Sequence, residues 1–149
     1  MIPYVRPALA GLLLLAVASP SFARDDVVML PIGAAMTTPE AQQKLGTSIK
    51  FYFGTRPTTP ITAEFGRFVA NPKTNAFAKS EGRVCDRVFL SALLSLQEHA
   101  ESVGANAVIN ITSYYKKHEV ASPTDYECHK GFLVAGVALR GDVVRLAGH

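Results

Sequence analysis

The residues with the most chemistry in them are the two cysteines and two of the four histidines. His118, Asp125, Glu127, Cys128 and His129 lie within 12 residues, and Cys85 stands well upstream. Thiolates and imidazoles suit zinc or copper, so His118, Cys128 and His129 are the candidate metal ligands. Their spacing speaks against a metal. There is no C-x-x-C or H-x-x-x-H, and the adjacent Cys128 and His129 point opposite ways in an extended chain. Cys85, between Arg83 and Arg87, would have a lowered pKa as a free thiol, but a nucleophile also needs a positioned base. An even cysteine count favours a Cys85–Cys128 disulfide, with two free thiols or a metal pair as the alternatives. On the loop-entropy model such a bridge is worth about 4 kcal/mol.

Other chemistries lack their patterns. No G-x-S-x-G elbow and no G-x-x-x-x-G-K-[ST] phosphate loop occurs, so neither serine catalysis nor a nucleotide is expected. Glu98 and Glu101 fall on the outer face of a helix, the wrong place for a general acid–base pair. Tyr114-Tyr115-Lys116-Lys117 mixes aromatic and basic side chains that could meet a polyanion, and reads more simply as the wet end of a strand. Asn110-Ile111-Thr112 matches a glycosylation sequon placed mid-strand. The expectation is a non-enzyme with no cofactor.

The elements that must position these residues follow from pattern. Val27–Ile32 reads as a strand cut by Pro31. Thr38 caps a brief helix with Pro39 at its first position, ending at Gly46. Ile49–Phe53 alternates as a strand with Ile49, Phe51 and Phe53 inward. Residues 54–80 are rich in Thr, Pro, Gly and Asn and read mainly as loop, with one strand near Glu64–Val69. Asp86 is the expected cap of a long helix ending at Gly104. Phe89, Leu93, Leu96, Ala100 and Val103 make its apolar stripe. Asn106–Tyr114 is a strand, Lys116–Lys130 a polar stretch, and Phe132–Arg140 a nearly continuous apolar strand for the middle of a sheet. Within it, Gly136 suggests a close approach by a neighbour. Gly141-Asp142 reads as a turn before a short edge strand at Val143-Val144. The fold class expected is α+β: one long helix packed on a small, mainly antiparallel sheet, a single domain with one disulfide.

The start of the chain has the pattern of an export leader. Arg6 is followed by an apolar run from Ala8 to Ala18, then Ser21 and Ala23 as the small residues before a cut. That run is too short to span a bilayer, which takes about 20 residues. The expectation is a periplasmic or secreted protein cleaved after Ala23, with residues 24–149 as its single domain and no membrane span. Without Arg6, the 15 Lys and Arg become 14 against 12 Asp and Glu. So weak and scattered a basic balance predicts no nucleic-acid partner.

The run Glu98-His99-Ala100-Glu101-Ser102-Val103-Gly104-Ala105-Asn106-Ala107-Val108-Ile109 resembles the helix-to-strand junction of YbjQ-like domains. It is also similar to the core of the Rcs envelope-stress sensor lipoproteins, the RcsF-like family. In that family a cysteine before the long helix pairs with one in the loop ahead of the last strand, the places held here by Cys85 and Cys128. The resemblance covers residues 80–140 and implies a small α+β envelope domain. This chain has neither that family's lipid-bearing N-terminal cysteine nor its second disulfide. Physically, Gly104 suits the left-handed end of a helix, and Asn106 can hydrogen-bond the turn backbone. Both therefore read as structural turn residues. The function implied is an envelope protein that binds another protein or an envelope component, through an exposed surface such as Phe65, Phe68 and Phe77. The alternative is a metal- or small-ligand-binding module built on His118 and His129. Neither partner identity nor oligomeric state is encoded in any motif.

Overall fold

The computed structural model describes Pro3 and residues 25–148, so the leader and its cut after Ala23 lie outside the described residues. In chain order the elements are strand β1 (Asp26–Pro31), helices α1 (Ile32–Met36) and α2 (Pro39–Lys44), and strands β2 (Lys50–Phe53), β3 (Ile61–Ala70) and β4 (Lys73–Asn75). The long helix α3 (Glu81–Ser102), strand β5 (Ala107–Ser113) and a single 3-10 turn (Tyr115–Lys117) follow. Strands β6 (Asp125–Lys130), β7 (Val134–Gly136) and β8 (Leu139–Leu146) close the chain.

The strands form two four-stranded sheets around one long helix. The first, ordered β1-β6-β7-β4, is antiparallel throughout. The second, ordered β2-β5-β8-β3, is antiparallel except for the parallel β2–β5 pair. The two are continuous through their chains: β3 leads into β4 and β7 into β8, and Val137 N–H donates to Pro72 O at the corner. Helix α3 packs against both sheets. Its Val88, Phe89, Leu93, Leu96 and Ala100 bury against Val108 and Ile111 of β5, Leu139 and Val143 of β8, and Tyr126 of β6. Burying each of the larger side chains is worth about 1.5–3 kcal/mol. This is the α+β, helix-on-sheet class expected. One disulfide, Cys85–Cys128, spans a Cα–Cα distance of 5.9 Å and joins the start of α3 to the middle of β6.

Several local expectations hold. Thr38 Oγ1 accepts from Ala41 N–H at 3.2 Å, with Pro39 at the first helical position. Gly104 takes φ +78° past the end of α3. Gly104 N–H donates to Glu101 O and Ala105 N–H to Ala100 O, the paired bonds that close a helix at a left-handed residue.

Others are corrected. Helix α3 starts at Glu81, with Ser80 in the cap position and making no side-chain cap bond. Asp86 lies inside the helix and instead accepts from the Tyr126 hydroxyl at 2.8 Å. The polar stretch before Phe132 contains strand β6, in which Tyr126 and Cys128 face helix α3 while Glu127 and His129 lie on the opposite face, Glu127 still buried. The run Phe132–Arg140 is not one strand. Gly131 turns a hairpin between β6 and β7, and a corner at Val137-Ala138 passes the chain to the other sheet.

Asn106 does not bond its own turn; its amide pairs with both backbone groups of Leu146, at 2.8 and 3.0 Å, extending the β5–β8 pairing by a side chain. Gly141 is not a turn but the middle of β8, paired with Phe68 of β3. A Cβ there would stand 2.4 Å from Val108 Cγ1 and 3.1 Å from Ile111 Cγ1. The tight approach is therefore at Gly141. At Gly136 the same Cβ would meet only ordinary contacts, 3.5 Å from Lys73 and Tyr115.

Candidate functional site

The outward residues of β6 build a polar cluster at the mouth of an open cleft. Alternation along the strand puts Glu127 and His129 on one face, with their inward neighbours Tyr126 and Cys128 fixed to α3. His129 Nε2 lies 2.5 Å from Glu127 Oε1 and its Nδ1 lies 3.3 Å from Asp25 Oδ1. The Tyr115 ring stacks on the imidazole with centroids 3.6 Å apart. Tyr115 is delivered by the 3-10 turn, where Lys116 and Lys117 both take left-handed φ, +49° and +63°. Lys116 Nζ then reaches Asp25 Oδ2 at 3.6 Å. The imidazole is thus held on both edges and one face, and its side chain is 10 % exposed.

The cleft, of about 620 Å³, runs from this cluster to an apolar wall of Phe132, Leu133 and Val134, with Lys73 beside it. These apolar residues form the apex of the β6–β7 hairpin. They are 68, 60 and 48 % exposed. Phe77, 53 % exposed, meets Phe132 edge-on at 5.4 Å. Backbone bonds fix the apex: Gly131 N–H donates to Val134 O, and Ala76 N–H to Leu133 O, both at 2.8 Å. Four large apolar side chains are thus exposed together on an ordered stretch of backbone.

The outer face of the second sheet differs. Gly66 (φ +92°) and Asn110 (φ +53°) sit where the register of β3 and β5 shifts, and these irregularities flank Asp142 of β8. Arg67 Nε donates to Asp142 Oδ1 at 2.7 Å and Asn110 Nδ2 to Oδ2 at 3.0 Å. Partial burial works to raise the Asp142 pKa, but those hydrogen bonds and the charges of Arg67 and Arg140 outweigh it, so its carboxyl titrates below the usual range. Arg140 pairs with Glu119 at 2.7 Å and lies over the Tyr114 ring. Arg67 and Asp142 pair, as do Arg140 and Glu119.

Cys85 and Cys128 are joined and fully buried, so neither offers a thiolate to a metal or a substrate. His118 is exposed beyond the 3-10 turn. Its ring makes no hydrogen bond among the described residues, whereas His129 is locked between two carboxylates. No three His, Cys, Asp or Glu side chains converge as a metal site among the described residues. Asp125 accepts from Thr124 Oγ1 at 2.8 Å. Burial, with the bond to Asp86 adding to it, pushes the Tyr126 phenol well above its ordinary pKa, so it stays a donor at any ordinary pH.

Of the three phenylalanines expected at a surface, Phe77 is there. Phe68 stacks on His99 at 4.1 Å and Phe65 lies under Arg145. Phe132 and Leu133, expected in a strand at the middle of a sheet, are exposed instead; the sequence signal for the hairpin is Gly131, which follows the two-residue alternation of Asp125–Lys130. No family model matches the chain, and neither does a curated protein or a solved structure.

Proposed function

We propose that this chain is an exported, non-enzymatic binding module of the bacterial envelope. It grips its target with the β6–β7 hairpin apex. The observation that carries this reading is the exposed cluster of Phe132, Leu133, Val134 and Phe77 on a backbone tied to the helix by a buried disulfide. The apex costs the chain apolar surface that the core could have used, and binding is the return. Three further features support the setting. The first 23 residues follow an export pattern, a disulfide persists outside reducing compartments, and residues 80–140 resemble domains of envelope-stress sensors. The His129 cluster forms the polar side of the cleft, and both its ring nitrogens are already engaged.

The test is sedimentation of residues 24–149, which hold the whole described core, with a bacterial envelope preparation. The wild-type domain is expected to co-sediment. The Phe132→Ser/Leu133→Ser variant is expected to stay in the supernatant while keeping its melting temperature. Equal sedimentation of both proteins, or none by either, contradicts the proposal.

A further inference from the structure

The geometry points to an anionic lipid bilayer as the surface that the hairpin apex engages, an inference that rests on the binding role just proposed. The charge around the apex carries it beyond an exposed apolar patch.

Lys73 and Lys116 line the cleft with Phe132 and Leu133. Lys79 bonds through Nζ to the backbone of Asn75, which pairs with Val134. The carboxylates at the cleft do not offset these amines evenly. Glu127 is engaged by His129, and Asp25 is shared between His129 and Lys116. Asp26 lies opposite Lys130 across the β1–β6 pair. Lys73 and Lys79 are exposed and make no ion pair among the described residues. An apolar point with amines on flexible stems around it matches the layered chemistry of a membrane surface, acyl chains below and phosphates above. A protein partner would instead be expected to present a pocket for the aromatic ring.

Vesicle co-sedimentation of residues 24–149 tests the inference. Vesicles of phosphatidylglycerol with phosphatidylethanolamine should bind the domain, and vesicles of phosphatidylcholine alone should bind it far less. Phe132→Ser/Leu133→Ser should lower the partition by on the order of 100-fold, since two large apolar side chains no longer leave water. Lys73→Gln/Lys79→Gln, which leaves the apex intact, should lower it about 30-fold at low salt. Raised salt should erase the difference between the lysine variant and wild type.

The inference is overturned if the domain ignores phosphatidylglycerol vesicles yet binds envelope fragments through the apex. That result leaves the binding role standing and assigns the apex to a protein. Equal binding to both vesicle types, unaffected by the lysine substitutions, also overturns it. Loss of envelope binding altogether removes the binding role itself.

Discussion

The two sheets solve the same problem by different means. The second, β2-β5-β8-β3, is held by packing: Val108, Ile111, Leu139 and Val143 bury fully against α3, and its outer charges neutralise one another around Asp142 and Glu119. The first, β1-β6-β7-β4, has two strands of only three residues and leaves Phe132, Leu133 and Val134 at the hairpin outside the core. It packs on the helix through Tyr126, which stacks on Phe89 at 4.1 Å, and Ala135, and adds to that packing the Cys85–Cys128 bond and the Tyr126–Asp86 hydrogen bond. The first sheet is thus tied to the helix covalently as well as by packing, whereas the second is held by packing alone.

The largest test of this difference removes the bridge. Cys85→Ala/Cys128→Ala should cost about 4 kcal/mol by the loop-entropy model, read from denaturant unfolding. Amide exchange should show protection falling first in β1 and β6, while β5 and β8 keep most of theirs. A uniform loss across both sheets breaks the comparison.

Gly141→Ala probes the other sheet. Its added Cβ would overlap Val108 and crowd Ile111, so a loss of about 1–3 kcal/mol is expected. The exchange change should centre on β5 and β8, with the hairpin apex unaffected.

These two substitutions also mark what was legible in the sequence. The disulfide, the long helix stripe, the Thr38 cap and the Gly104 helix end could be read because each depends on residues close in the chain or on a simple cysteine count. Gly141 could not. Its role is set by two side chains of β5 that only the paired sheet brings near, and a glycine before an aspartate looks locally like a turn. Asn106 misled for the same reason, its partner being 40 residues away. Strand β6 was readable by its alternation but was hidden by polar outward residues. Once it is a strand, Gly131 marks a hairpin and Phe132 is thrown outward. Of the candidate site, the histidines and carboxylates were legible as types. Their arrangement was not, because it depends on Asp25 and Tyr115 arriving from different segments.

Arg67→Ala should give the smallest change in stability, since the guanidinium is largely exposed. The pH dependence carries the information. Asp142 is held below its ordinary pKa of 3.8 in the fold, so it contributes stability above that value and loses it as pH falls through the lower folded pKa. Without Arg67 the carboxyl should titrate higher, as read by carboxyl-carbon NMR. The stability gap between the two proteins should be present at neutral pH and vanish in acid. A gap that persists there would mean Arg67 acts through packing.

The hairpin apex as a membrane-seeking surface can be examined directly, because the chain contains no tryptophan. A single Phe132→Trp substitution therefore reports on the apex alone. With phosphatidylglycerol vesicles its emission should shift to shorter wavelength and become shielded from aqueous quenchers, with no shift on phosphatidylcholine. Emission that stays that of a water-exposed indole at every lipid concentration, in a protein whose melting temperature is unchanged, would contradict the account.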